Sequence, residues 1–192
     1  RAGHRSFLAA PSANGKTADI QMYTSNDPLE RMQLGMTPHT CISLATGPAY
    51  FAAFANEIDG NKQVVYQADV QGRKTGRTLA ALTDKGIVTF RKYDISSAKT
   101  DEAWVEYFHQ YKSRVGVPWL VPDRFVTEPL ARALLGAGAK KKENKATLHR
   151  AVFPVWFDDI IDADQRDRPH VAKTVKVPRR GYRMQFSGYV IE

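Results

Sequence analysis

The sequence lacks the features that mark membrane proteins, disulfide-stabilised proteins and common nucleotide-binding enzymes. One cysteine among 192 residues excludes an internal disulfide and a multi-thiolate zinc site. No run of about 18 apolar residues occurs, so no membrane-spanning helix is expected. Neither G-x-x-x-x-G-K-[ST] nor G-x-G-x-x-G can be read anywhere in the chain, so no standard phosphate loop is predicted. We predict no metal site, no membrane partner and a cytoplasmic location.

The composition is that of a folded protein. A hydrophobic fraction of 43% with 25% charged residues is typical of globular domains. We predict a single domain over 1–192, divided into an N-terminal arm (1–24), an α/β core (25–120) and a C-terminal extension with basic segments (121–192). Because the first residue is Arg1, we expect a processed product or a piece of a longer protein, and no signal-peptide core is visible.

Three strand-like stretches in the middle of the chain predict an antiparallel meander over 62–93. Turn signals at 70–73 and 84–86 separate them. Helical periodicity is found over 48–58 and 101–115. The predicted fold class is therefore α/β (α+β), with a mixed sheet whose central antiparallel meander is flanked by helices.

The net charge of +8 and a pI near 9.6 favour an anionic partner, and nucleic acid is the first candidate. Basic residues cluster at 140–145 and 173–183, while acidic residues gather at 158–167. A basic segment interleaved with aromatic residues is typical of nucleic-acid binders, although solvated or internally neutralised faces give the same pattern. The candidate nucleic-acid-binding residues are Lys140, Lys141, Lys142, Lys173, Lys176, Arg179, Arg180 and Arg183.

Two further groups could carry chemistry. Cys41 and His39 share a face if they lie on a strand, which would suit a cysteine-dependent hydrolase, but a lone cysteine in an apolar strand is more often a small core residue. Asp59, Asn61 and Lys62 could form a polar ligand-binding pocket together with Arg77 from the following hairpin. The alternative is a tight turn, which aspartate and asparagine also favour.

The stretch "NKQVVYQADVQGRKTGRTLAALTDKGIVTFRKYD" and the order of elements over 38–116 resemble the central meander of the N-acetyltransferase superfamily. In that family a strand ending in an acidic residue turns through a glycine into a G-R-x-x-L pattern, and a third strand leads to a long helix. The resemblance implies an N-acetyltransferase-like domain that transfers an acyl group to an amine, or a degenerate version without catalysis. Tyr93 and Asp94, at the end of the third strand, are the implied catalytic candidates.

The segment after the third strand departs from the family pattern. The family has an R/Q-x-x-G-x-G/A segment there, whose backbone N–H groups hold the pyrophosphate of acetyl-CoA. This chain reads "YDISSAKTDEAW", without glycine and with Asp101 and Glu102 at the helix start. Acetyl-CoA or another acyl-CoA is thus the implied cofactor, but its usual binding loop is absent. Entry of the pantetheine arm would require the second and third meander strands to diverge.

Overall fold

The computed structural model describes residues 13–14, 20–25, 27–36, 43–44, 53, 57, 60–94, 98–149, 175–177 and 181–192. The described strands form one sheet, in the order β1-β2-β3-β4-β5-β7-β10-β8, with β6 beside β4 and β9 beside β10. Their bounds are β1 Ala13–Asn14, β2 Ile20–Thr24, β3 Lys62–Asp69, β4 Lys74–Thr83, β5 Gly86–Thr89, β6 Tyr93–Asp94, β7 Trp119–Pro122, β8 Lys140–Leu148, β9 Val175–Val177 and β10 Gly181–Ile191. The helices are α1 Pro28–Met32, α2 Ala98–Val115 and α3 Glu128–Gly136.

The predicted meander is present, and the predicted fold class is confirmed. Strands β3 and β4 pair antiparallel from Lys62↔Ala81 onward, and β4 pairs antiparallel with β5. The first turn needs a glycine, since Gly72 has φ +75°, a conformation that side chains with a Cβ rarely adopt. The sheet is mixed because β5 and β7 run parallel.

The second and third meander strands do not diverge, as entry of a pantetheine arm between them would require. Strands β4 and β5 stay paired at four positions, from Ala80↔Thr89 to Thr83↔Gly86, because a tight turn joins them. The gap lies instead between β5 and β7, which pair only at Ile87↔Trp119 and Val88↔Leu120. Two parallel strands joined through α2 have no turn that holds their far ends together.

Helices cover both faces of the sheet. On one face, α2 and α3 pack over an apolar cluster that includes Trp104, Phe108 and Trp119. Helix α2 begins three residues before the predicted 101–115. On the other face, α1 lies over a second cluster around Tyr66. The predicted helix over 48–58 lies outside the described residues, apart from two helical positions at 53 and 57.

Helix α1 is short and capped as its sequence indicates. The Asp27 carboxylate accepts a hydrogen bond from the backbone N–H of Leu29 at 2.9 Å, and Pro28 occupies the first helical position, where its missing N–H costs nothing. None of the described helices is long and apolar enough to cross a membrane.

The lysines of the basic cluster at 140–145 lie in strand β8. Nine consecutive residue pairs join β8 to β10, and this pairing overrides the low β-propensity of lysine. The end of β8 also meets the β4–β5 turn, where Asp84 N–H donates to the Thr147 carbonyl at 3.1 Å and Thr147 N–H donates to the Asp84 carboxylate at 2.6 Å. The sheet is therefore bent, so that its last strand, β8, contacts the β4–β5 turn of the meander.

Candidate functional site

A row of aromatic and cationic side chains crosses the α1 face of the sheet. The register pairs Tyr23 with Tyr66, Tyr66 with Arg77, and Arg77 with Tyr93. The Arg77 guanidinium lies 4.5 Å from the centre of the Tyr93 ring, and the two tyrosine rings at the other end are 5.5 Å apart. Arg77 is completely buried, so this predicted ligand-binding residue lies inside the sheet layer.

Gly76 allows β6 to approach β4. A Cβ added at Gly76 would lie 2.5 Å from the Asp94 Cβ and 2.9 Å from the Tyr93 carbonyl oxygen. No backbone adjustment short of separating the strands would relieve such contacts. The glycine therefore fixes the position of both predicted catalytic candidates.

Glu30 links this row of aromatic and cationic side chains to α1. The Tyr23 hydroxyl donates to the Glu30 carboxylate at 3.0 Å, and the Tyr66 hydroxyl donates to the Glu30 carbonyl at 2.7 Å. Lys74 pairs with the same carboxylate at 2.7 Å and stands 4.4 Å above the Tyr66 ring. Although burial opposes the charged form, hydrogen bonds from Lys74, Ser25 and Tyr23 hold the pKa of Glu30 below its usual value. Burial, followed by the charge of Glu30, raises the pKa of Tyr66.

The predicted pocket around Asp59, Asn61 and Lys62 is only partly described. The side-chain amide of Asn61 donates to the His149 carbonyl at 2.7 Å, so Asn61 joins β3 to the end of β8. Lys62 is buried, and its carbonyl accepts a hydrogen bond from Arg31 at 3.0 Å. Arg31 also pairs with Glu57 at 2.9 Å. Asp59 lies outside the described residues.

A second polar cluster lies at the start of α2. The strand opposite β4 carries three residues, 90–92, against two on β4, which is a β-bulge. The Thr78 hydroxyl donates to the Phe90 carbonyl within the bulge at 2.9 Å. The bulge directs the Lys92 amine to Asp94, at 3.0 Å, and to Asp101 on the first turn of α2.

The burial of this cluster is its defining property. Asp94 and Asp101 have side chains 0% and 1% exposed, and Lys92 only 9%. Side chains alternate along a strand, so Asp94 faces α2 whereas Tyr93 packs on the α1 side with Arg77. The two predicted catalytic candidates therefore point to opposite faces of the sheet. Lys92 was not among the predicted site residues, although its spacing from Asp94 places both on one face.

The gap between β5 and β7 is filled by aromatic side chains. Trp119 donates from its indole to the Thr89 hydroxyl at 2.9 Å and stacks on Phe108 with ring centres 4.9 Å apart. Phe108 in turn stacks on Trp104, at 5.6 Å. The cavity that remains between these residues and Phe125 measures about 20 Å³, which is the size of one water molecule.

These two features test whether the residues fit acetyl-CoA, the cofactor that the resemblance implies. A pyrophosphate at the start of α2 would meet the carboxylate of Asp101, whose charge is already matched by Lys92. A pantetheine arm between β5 and β7 would need space that Trp119, Trp104 and Phe108 occupy. The arrangement does not fit acetyl-CoA bound in the family manner.

The basic residues of the C-terminal region are exposed where the structure describes their side chains. Lys140, Lys141, Lys142 and Lys145 project from β8, the last strand of the sheet, and Arg183 from β10. Lys141 pairs with Asp123 at 3.2 Å and Lys142 with Glu192 at 2.7 Å. Lys176 is placed by its backbone in β9, opposite Tyr182. The predicted residues Lys173, Arg179 and Arg180, like Cys41 and His39, lie outside the described residues.

No three described histidine, cysteine, aspartate or glutamate side chains lie close enough together to hold a metal ion. The acidic side chains that do meet, Asp94 and Asp101, share a lysine between them.

Comparison with solved structures finds acetyltransferases. A GCN5-related N-acetyltransferase from Brucella melitensis has a TM-score of 0.47 at 12% identity, with 95% of this chain and 80% of that one covered. A proposed acetyltransferase from Acinetobacter baylyi has 0.45 at 10%, covering 90% and 92%. Another from Sphaerobacter thermophilus has 0.44 at 8%, covering 96% and 99%. No protein-family model and no curated protein matches the sequence. The predicted resemblance is confirmed as a remote one.

Proposed function

We propose that this chain is a degenerate acetyltransferase-like domain, which does not transfer an acyl group from acetyl-CoA. The observation that carries the proposal is the buried Lys92–Asp94–Asp101 cluster at the start of α2. Helix N-termini attract anions, and here the chain supplies its own carboxylate at that position. The aromatic side chains between β5 and β7 support the same conclusion.

The catalytic candidates support it as well. Acyl transfer to an amine needs a group that takes the proton from the amine and a donor that polarises the thioester carbonyl. The Asp94 carboxylate is 0% exposed and paired with Lys92 at 3.0 Å, so it is not open to a substrate amine. Tyr93, on the opposite face, lies under Arg77 and cannot assist Asp94 at one reacting atom.

Calorimetric titration with acetyl-CoA and with free CoA tests this proposal. We expect no saturable binding at about 1 mM ligand, a range that would detect ordinary cofactor affinities. Thermal unfolding provides a second readout, because a ligand at about 100 times its Kd stabilises the native state by about 2.7 kcal/mol. Saturable binding that is lost in the Lys92→Gln variant, with the fold intact, would show that the cluster belongs to a working cofactor site.

A second candidate function, nucleic-acid binding, is favoured by a separate observation. Strand β8 is at the edge of the described sheet and exposes four lysines within six residues. Lysines also protect sheet edges from self-association, so their presence alone does not decide the function. Phosphate contacts would make the affinity depend steeply on salt, whereas edge protection would not.

Fluorescence anisotropy with single- and double-stranded oligonucleotides distinguishes these two roles. If the lysines bind phosphates, the log–log slope of affinity against salt should flatten by about one unit for each contact removed. The test variant replaces Lys140, Lys141 and Lys142 with glutamine. The matched control removes three exposed charges from the helices, at Lys99, Arg114 and Arg132. A further variant replaces the C-terminal set with glutamine, at Lys173, Lys176, Arg179, Arg180 and Arg183.

Absence of binding at about 50 mM salt, where electrostatic association is strong, would eliminate this candidate. Equal losses in the test and control variants would also contradict it, because the loss would then reflect net charge alone. The degenerate-domain proposal is unaffected by either result.

A further inference from the structure

A groove of about 490 Å³ opens where the bent sheet brings the β4–β5 turn close to β8. Its rim carries Lys85 from the turn and Lys142 and Lys145 from β8, and its floor is formed by Leu120 and Val190. Gln185 of β10 adds an amide to the wall. Small-molecule sites commonly have volumes of about 300–1,000 Å³ and apolar floors with a few placed polar groups. The groove has these properties.

The walls of the groove are fixed by backbone contacts. The turn is attached to β8 by the two hydrogen bonds between Asp84 and Thr147. It also lies close to the residue before β7, since a Cβ on Gly86 would come within 2.1 Å of the Pro118 carbonyl oxygen. On the β8 side, the buried Asn144 donates from its amide to the Lys142 carbonyl at 2.8 Å. Lysines on both walls are therefore carried by segments of fixed position.

The charges around the groove leave two lysines available. Glu192 pairs with Lys142 at 2.7 Å, and Lys142, with Lys140 and Lys112 further away, lowers the pKa of Glu192. Glu143 is the other acidic residue of the lining. Within the described ranges, no carboxylate lies within ion-pair distance of Lys85 or Lys145.

We propose that this groove binds a phosphate monoester of a sugar that also carries a flat ring, as in a nucleotide. Lys85 and Lys145 approach the phosphate from opposite walls as point charges, and the ring lies on the apolar floor of Leu120 and Val190. Gln185 supplies a donor and an acceptor for polar groups of the ring. The ligand is either a free nucleotide or the phosphorylated end of a nucleic-acid strand.

This inference does not depend on the degenerate-domain proposal, and it overlaps with nucleic-acid binding only at Lys142 and Lys145. Lys85 belongs to the groove and not to the predicted nucleic-acid surface. Lys140 belongs to that surface and does not line the groove. The two residues therefore separate the two ideas experimentally.

Calorimetric titration with AMP and adenosine tests the proposal. We expect AMP to bind and adenosine to bind at least about tenfold more weakly, because each lost charged contact costs about 1.4 kcal/mol or more. The double variant Lys85→Gln/Lys145→Gln should weaken AMP by about tenfold or more, while the Lys140→Gln control stays within about twofold. All three lysines are exposed, so thermal unfolding should show each variant folded.

A 5′-phosphorylated oligonucleotide and its unphosphorylated copy identify the source of the ligand. A strand end is supported if phosphorylation strengthens binding and Lys85→Gln abolishes the advantage, and a free nucleotide is supported if only AMP depends on Lys85. The proposal is overturned if AMP fails to saturate at about 10 mM, if adenosine binds equally well, or if the double variant binds AMP like the unchanged protein. Binding of the unphosphorylated strand through Lys140, together with no saturable binding of AMP, would leave nucleic-acid binding standing and remove this inference.

Discussion

The start of α2 and strand β8 both concentrate charge, but they use it in opposite ways. At α2, Lys92, Asp94 and Asp101 are buried, and the two carboxylates share the one lysine inside the chain. On β8, Lys140 and Lys145 are exposed at the sheet edge. Charged groups can be buried only when they are paired, so the first region is committed to the fold. The second remains free to meet an external anion.

This difference is the basis of the proposal that the resemblance does not extend to acyl transfer. At the start of α2, an internal ion pair occupies the position where the resemblance implies the pyrophosphate of acetyl-CoA, and Trp119 stands between β5 and β7. The groove between Lys85 and Lys145 lies elsewhere in the sheet. Architecture and site are separate properties of a chain, so a shared fold is compatible with the different ligand site that we propose.

The largest effect is expected from removing Asp101. The Asp101→Ala variant leaves the buried Lys92 paired with Asp94 but removes its other carboxylate partner, so part of the stabilisation of its charge is lost. Breaking a buried pair costs about 3–5 kcal/mol, and we expect the lower end of that range because Asp94 remains. Chemical denaturation measures the free energy of unfolding. Glu102→Ala, one residue further along the same helix turn and exposed, is the control and should change it by less than about 0.5 kcal/mol.

Equal effects of Asp101→Ala and Glu102→Ala would contradict the contrast between buried and exposed charges, because the electrostatics of the helix terminus would then account for both. If Asp101→Ala had a small effect on stability and also gained acetyl-CoA binding, the Asp101 carboxylate would be shown to block a cofactor site and to contribute little to the fold.

Gly76→Ala is expected to have the next largest effect. Its Cβ would meet the Asp94 Cβ at 2.5 Å, which forces β6 away from β4. Inserting an atom into a packed region costs about 1–3 kcal/mol, again measured by denaturation. Gly60→Ala is the matched control, since a Cβ there meets nothing within 4 Å. If Gly76→Ala were as stable as the control, β6 would not be held as closely as its pairing indicates.

Much of the fold could be predicted from local sequence patterns. The meander was predictable because alternation and turn residues agree over 62–93, and α2 because its apolar residues keep one face over four turns. Strand β8 could not be predicted, since its lysines conceal a pairing with β10 that depends on residues about 40 positions away. The buried cluster at the start of α2 was less predictable from the sequence than the fold. Lys92 meets Asp101 only because a bulge turns it toward α2, and nothing local marks that bulge.

A smaller effect is expected at Glu30, on the face opposite the buried cluster. The folded-state pKa of Glu30 is lowered, so its contribution to stability is present above the unfolded pKa of about 4.3. That contribution is lost as pH falls through the lower folded value. Glu30→Gln should therefore be less stable than the unchanged protein near pH 7, and the difference should shrink in acid. A pH series of thermal unfolding measures this, and Glu128→Gln, which is exposed on α3, is the control.

A difference that stayed constant from neutral to acid pH would mean that the carboxylate charge is not what Lys74 and Tyr23 recognise. A stability difference that grew as the pH fell would have the opposite pH dependence, and it would require a raised folded-state pKa of Glu30. Either result would remove Glu30 as the charged link between α1 and the sheet.

The smallest effect on stability is expected for the lysines of β8, which are also the residues proposed to bind nucleic acid. Lys141 and Lys142 form exposed ion pairs with Asp123 and Glu192, and surface pairs contribute about 0–1 kcal/mol. Replacing each of these lysines with glutamine should therefore shift the free energy of unfolding by no more than about 1 kcal/mol, as measured by denaturation. The same variants should flatten the salt dependence of nucleic-acid affinity. If they instead destabilised the fold as strongly as Asp101→Ala, strand β8 would be held by its charges, and the contrast between an internal and an external set of charges would fail.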